Sequence, residues 1–263
     1  MLLENKNAIL YGAGGGLGGG VARAFAREGA RVFLTGRTRP KLDALAASIR
    51  AAGGAAEVAV LDALDEHAVE AHAQAVAAQA GSLDVSFNLI TRGDVQGIPL
   101  VDMATPDLLR AVTTGLSSQF ITARAAARRM IQQKSGVILM VTSGTSAVAP
   151  PMMGSTGPAD AAMELLMRSL AVELGPHGVR VLGIWTAAVA ETLTAEKIGA
   201  VNSNLQLQEA AVAQLVEQVG QMTMLRRAPR LAQVADTAAF LASDQASAIT
   251  GTIVNVTCGL VPR

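Results

Sequence analysis

Tyr11-Gly12-Ala13-Gly14-Gly15-Gly16-Leu17-Gly18 is the stretch whose reading decides the fold. It follows a short apolar run at residues 8–11 and opens an amphipathic run at 21–27, so it sits between a strand and a helix. Glycines at 12, 16 and 18 let the backbone approach a pyrophosphate, and the helix that follows offers free N–H groups and a partial positive charge. In that strand-loop-helix setting the glycines read as a dinucleotide loop rather than as a flexible turn.

Outward from the loop, short apolar runs keep alternating with longer amphipathic ones. Strands are expected at 31–35, 55–61, 85–90, 137–141, 179–185 and 252–256, with helices at 42–51, 66–80, 106–133 and 158–174. Such alternation implies parallel strands, right-handed crossovers and helices on both faces. The expected fold is therefore a Rossmann-like α/β domain, a single doubly wound parallel sheet over residues 1–263. One departure is long: residues 186–229 follow the sixth strand as an insertion, helical over 205–222. It reads either as a lid over a substrate or as a packing helix or dimer contact.

Composition narrows the partners. The 263 residues carry 21 basic and 21 acidic side chains with no block of one sign, which offers nucleic acid or an anionic membrane surface no footprint. The expected partner is a small molecule. Cys258 is the only cysteine, so an internal disulfide is excluded and a thiolate metal cluster lacks ligands; no metal site is expected, and a reducing cytoplasm fits. The polar residues Glu4, Asn5, Lys6 and Asn7 leave no apolar signal segment in residues 1–10, and no apolar run is long enough to span a bilayer.

The second strand ends at Thr35-Gly36-Arg37, where an NAD-specific site carries an acid for the ribose hydroxyls. None is present. Arg37, with Arg39 nearby, suits the 2′-phosphate of NADP(H), because guanidinium pairs with phosphate in a bidentate way. Two readings of Arg37 stand, phosphate ligand or solvated surface arginine, and NAD(H) remains the other cofactor. Asp62, closing the third strand, either accepts from an adenine amino group or begins a turn.

Beyond the loop, Leu83-Asp84-Val85-Ser86-Phe87-Asn88, Pro176-His177-Gly178-Val179-Arg180-Val181 and the run from Ala242-Ser243-Asp244 through Ile249-Thr250-Gly251 to Cys258-Gly259 occur in order. With Gly12, Gly16 and Gly18, these segments resemble the short-chain dehydrogenase/reductase family over nearly the whole chain. The resemblance implies hydride transfer between nicotinamide and a carbonyl or alcohol. It also implies cofactor contacts at Gly12, Gly16, Leu17, Gly18, Arg37, Asp62 and Asn88, and a homodimer or homotetramer. Apolar Leu165, Leu166, Met167 and Leu170 lie on more than one face of their helix and point the same way. In Met140-Val141-Thr142-Ser143-Gly144, Ser143 matches the serine that holds the carbonyl oxygen.

Elsewhere the pattern departs. Thr156 stands at the family's tyrosine position, Asp160 at its lysine, and Gly115 at the asparagine of the long helix. The only tyrosine is Tyr11 and the lysines are Lys6, Lys41, Lys134 and Lys197, so no Tyr-x-x-x-Lys occurs anywhere. A threonine hydroxyl is far less acidic than a phenol. Asp160 either accepts from the nicotinamide ribose hydroxyls or helps start a helix in Gly157-Pro158-Ala159-Asp160, with Gly157 as cap and Pro158 at the first helical position. That proline is expected to start the helix late and turn residue 156 away. His177 and Trp185 read as structural.

Three functions stay open. One is a reductase that keeps NADPH and uses Ser143 to polarise a carbonyl, with Asp160, Thr156 or water as relay. The others are a cofactor-binding protein without turnover, acting as sensor or silent subunit, and a non-redox lyase or isomerase on the same pocket.

Overall fold

The computed structural model describes residues 1–262. Strand β1 (Asn7–Tyr11) is buried along its whole length, as a central parallel strand covered on both faces must be. Around it run α1 (Gly16–Arg27), β2 (Arg31–Gly36), α2 (Arg39–Ala51), β3 (Ala55–Val60), α3 (Glu66–Ala80) and β4 (Val85–Asn88). The second half comprises α4 (Thr105–Gln133), β5 (Gly136–Thr142), the one-turn α5 (Thr145–Val148), α6 (Thr156–Leu174), β6 (Val179–Trp185), α7 (Ala195–Val201), α8 (Glu209–Met222), α9 (Leu231–Ala242) and β7 (Ile253–Asn255).

The seven strands pair in parallel in the order β3-β2-β1-β4-β5-β6-β7. The order reverses between β1 and β4, so the connections leaving these neighbours run to opposite faces and open a crevice beyond their carboxyl ends. One apolar layer joins Phe25, Leu10, Leu34, Leu42 and Val234 beneath α1, α2 and α9. The other joins Ile9, Tyr11, Phe33, Met130 and Ile138 beneath α3, α4 and α6. The single-domain doubly wound sheet expected from the sequence is the fold observed.

Some boundaries differ. Helix α6 begins at Thr156 with Ser155 as its cap, not at Pro158. Proline is accommodated at the third helical position because N–H groups of the first turn have no intrahelical acceptor in any case. The insertion holds α7 as well as α8, which begins at Glu209 rather than 205, and α9 follows where the sequence reading assigned no element.

Candidate functional site

The glycine loop curls over the carboxyl end of β1. Gly12 has φ of +77°, and a Cβ there would lie 2.7 Å from the carbonyl oxygen of Leu89; a Cβ on Gly18 would overlap the carbonyl of Gly12. Side chains at either position would open the loop. Among the described residues none caps α1 through a side chain, so its first-turn N–H groups face outward as an anion site.

Next to the loop lies a cavity of about 320 Å³, bordered by Gly12, Arg37, Lys41, Asp62 and Lys197. The Arg37 side chain is 80% exposed and its Nη1 stands 3.8 Å from Asp62 Oδ2, so this guanidinium is free to turn to another anion. Lys41 and Lys197 escaped the sequence reading. Lys41 lies in the first turn of α2, beside Arg37. Lys197 comes from α7 in the insertion: its Nζ donates to the Thr192 carbonyl at 2.7 Å and stands 3.1 Å from where a Cβ on Gly16 would be. Asp62 also accepts from Leu64 N at 3.0 Å, so its turn role is present.

A second cavity, of about 260 Å³, continues from the loop toward the ends of β4, β5 and β6, and Leu17, Asn88, Arg92, Ser143 and Thr186 line it. The insertion closes one side through Thr192 and Leu193. Asn88 is held at the end of β4, donating to Thr122 Oγ1 at 3.2 Å and accepting from Ile90 N at 3.1 Å.

Ser143 and Asp160 are brought together; Thr156 is set apart. Asp160 is 0% exposed and Oδ2 accepts from Ser143 Oγ at 2.6 Å, Ser143 N at 3.0 Å and Thr145 N at 3.2 Å. Its Oδ1 accepts from Arg92 Nη1 at 2.7 Å. Asp160 is thus turned into the protein and does not line the cavity. A carboxylate only accepts, so the Ser143 hydroxyl proton points to Asp160, and Thr145 Oγ1, 2.5 Å from Ser143 Oγ, is the donor in that contact. The serine therefore offers the cavity a lone pair rather than a proton. Thr156 is buried and accepts from Gln96 Nε2 at 3.0 Å, while Val95 N donates to Ser155 Oγ at 3.0 Å, so residues 95–96 cover the start of α6.

Arg92 is the central residue that the sequence reading missed. It leaves β4 through the loop and passes over Gly115, where a Cβ would come within 2.8 Å of Arg92 Cδ; the glycine makes room for the arginine. Besides Asp160 it meets Asp94, Nη2 to Oδ1 at 2.8 Å. Burial works against its charge, but the two carboxylates and their hydrogen bonds outweigh burial and hold its pKa above the ordinary guanidinium value.

One helical turn beyond Asp160, Glu164 is also buried, and accepts from Trp185 Nε1 at 2.7 Å, Thr142 Oγ1 at 3.1 Å and Ser146 Oγ at 2.8 Å. Trp185 is core, as read. His177 sits exposed in a turn after α6. Tyr11 is fully buried on the α3 side of the sheet, with its pKa raised by desolvation first and by Glu70 second. Two polar atoms beside the cavity have no partner among the described residues, Gln119 Oε1 and Thr186 Oγ1.

A glycine-cradled anion site at a sheet switch point, continuous with a polar cavity, defines a nucleotide-binding α/β protein. Over residues 12–261 the chain matches the family profile described as Enoyl-(Acyl carrier protein) reductase. It is 33% identical to L-rhamnose 1-dehydrogenase (NAD(P)(+)) of Azotobacter vinelandii, with 99% of this chain and 98% of that one covered. It is 26% identical to gluconate 5-dehydrogenase of Gluconobacter oxydans, over 98% and 95%. NAD+-bound xylitol dehydrogenase superposes with a TM-score of 0.87 at 25% identity, covering 98% of this chain and all of that chain. The chain belongs to the short-chain dehydrogenase/reductase family.

Proposed function

We propose that this protein is an oxidoreductase that binds NADP(H) in preference to NAD(H) and reduces a small carbonyl or related compound without a tyrosine-lysine pair. The observation that carries this reading is continuity: Leu17 of the glycine loop and Ser143 line one cavity. The relatives named above, one carrying NAD(P)(+) in its name, support the cofactor class.

The residues present fit such a cofactor. The glycine loop and the N-terminus of α1 would hold the pyrophosphate, with Lys197 beside it. Arg37 and Lys41 would hold a 2′-phosphate; Asp62 borders the adenine side. The unpartnered Thr186 Oγ1 suits the carboxamide end of nicotinamide. When bound, the reduced nicotinamide supplies hydride. The protein orients the acceptor through Asn88, Arg92 and Ser143, and residues 186–229 act as the lid that keeps water out. Asp160 fixes the Ser143 hydroxyl and anchors Arg92. Exposed Leu165 and Val172 on α6 support self-association into a homodimer or homotetramer.

Titration with NADPH and NADH, followed by a carbonyl panel read as loss of nicotinamide absorbance, tests the reading. Tight NADPH binding with slow turnover supports it. Binding with no turnover of any acceptor favours the silent-subunit alternative.

A further inference from the structure

We propose that the acceptor reduced in this site is a cation, a C=N⁺ iminium, rather than a neutral ketone; this rests on the reading above that the cavity holds a nicotinamide. Two independent observations point there. The first is that no residue lining the cavity can give up a proton near neutral pH: of those residues only Asp94 and Arg92 are ionisable. Arg92 is held protonated by its carboxylates. The Ser143 proton is committed to Asp160. Thr156 is walled off, and Tyr11 is buried on the α3 side of the sheet. Hydride addition to a ketone leaves an alkoxide that needs such a donor.

The second is charge. Asp94 lines the cavity and pairs with Arg92, which also pairs with the buried Asp160, so two carboxylates meet one guanidinium; Glu164 is buried one turn further along α6, against Thr142 of the cavity wall. Lys197 belongs to the neighbouring cofactor crevice. Asp94 is 15% exposed and keeps lone pairs beyond those Arg92 uses. Gln119, 1% exposed and beside the cavity, holds an amide oxygen with no donor, whose partial negative charge suits a neighbouring cation. The chemistry then balances without an acid. Hydride leaves the reduced nicotinamide and forms the new C–H bond at the iminium carbon. The C=N π pair becomes the nitrogen lone pair, leaving a neutral amine and the oxidised nicotinamide, and no proton enters.

The probes are N-methyl-1-pyrrolinium and, as neutral ring of similar size, cyclopentanone. Calorimetric titration into protein saturated with NADP⁺ is the first readout. The cation is expected to bind roughly tenfold more tightly than the ketone, and Asp94→Asn to remove that difference while NADPH binding is kept. NADPH consumption is the second, with the cation turned over roughly 100-fold faster than the ketone. Equal binding and equal turnover of the two probes, or turnover of the ketone alone, overturns the proposal and leaves the reductase reading standing. Failure to bind NADPH overturns both. If Asp94→Asn does not fold, the comparison of probes on the unaltered protein still decides.

Discussion

Asp160 accepts the hydroxyl hydrogen bond of Ser143 at 2.6 Å and is itself paired with Arg92 at 2.7 Å. The pairing depends on Gly115, whose missing side chain lets Arg92 reach across.

The first prediction concerns that pair. Asp160→Leu alone leaves the guanidinium of Arg92, 12% exposed, with only Asp94 to pair with, and breaking a buried pair in this way costs about 3 kcal/mol. Thermal unfolding monitored by circular dichroism is expected to show a clear drop in Tm. Adding Arg92→Met together with Asp94→Asn should recover part of it, because no member of the ion-pair network is then left charged and alone. A triple variant no more stable than Asp160→Leu would show that these groups are not the coupled unit described.

Installing a proton donor needs four changes, not two. Thr156→Tyr with Asp160→Lys places an ammonium against Arg92, and both charges would be buried together. That double variant is expected to stay inactive on ketones. Adding Arg92→Ala and Gly115→Asn removes the repulsion and fills the space that Arg92 leaves, and should raise NADPH-dependent ketone reduction by about 10². Pro158 can stay, since α6 already begins at Thr156. Substantial ketone turnover by the double variant would contradict the account.

Acid stability turns on His72. Its pKa is lowered by burial, only partly offset by Glu57, so the folded state holds it neutral. An imidazole of depressed pKa contributes fully above its unfolded value, about 6.5. That contribution is lost as pH falls below this value and through the folded one. Denaturant unfolding between neutral and mildly acidic pH should therefore show a loss that His72→Gln reduces. An unchanged slope in the variant would assign the loss to other groups.

The proposed self-association rests on α6. Leu165 is 61% exposed and Val172 78%, two turns apart on one face of the helix. Light scattering at micromolar concentration is expected to give a multiple of 26.9 kDa, and Leu165→Glu with Val172→Glu to shift it toward one chain. A single-chain mass for the unaltered protein would refute this.

The sheet was legible because its strands are apolar on both faces and the glycine loop has one strand before it and one helix after, both local signals. Arg92 was not. It lies in a loop without periodicity, and its partner Asp160 is 68 residues away, so nothing local marks it. Asp160 could be located by spacing, but its direction is set by Ser143, Thr145 and Arg92, which spacing does not reveal. The start of α6 was misplaced because proline is favoured at the first helical position yet is also tolerated at the third. Lys41 and Lys197 become visible only once α2 and the insertion are folded beside the loop.

The cofactor assignment is tested most directly at Arg37. Its guanidinium, 80% exposed and only loosely held by Asp62, is the group the account gives to a 2′-phosphate. Losing a charge-assisted contact costs roughly 1.5–3 kcal/mol, so Arg37→Ala should weaken NADPH about tenfold or more and leave NADH unchanged. Calorimetric titration of both cofactors into both proteins is the measurement. Equal weakening of NADPH and NADH, or an unaltered protein that binds NADH as tightly as NADPH, would contradict it.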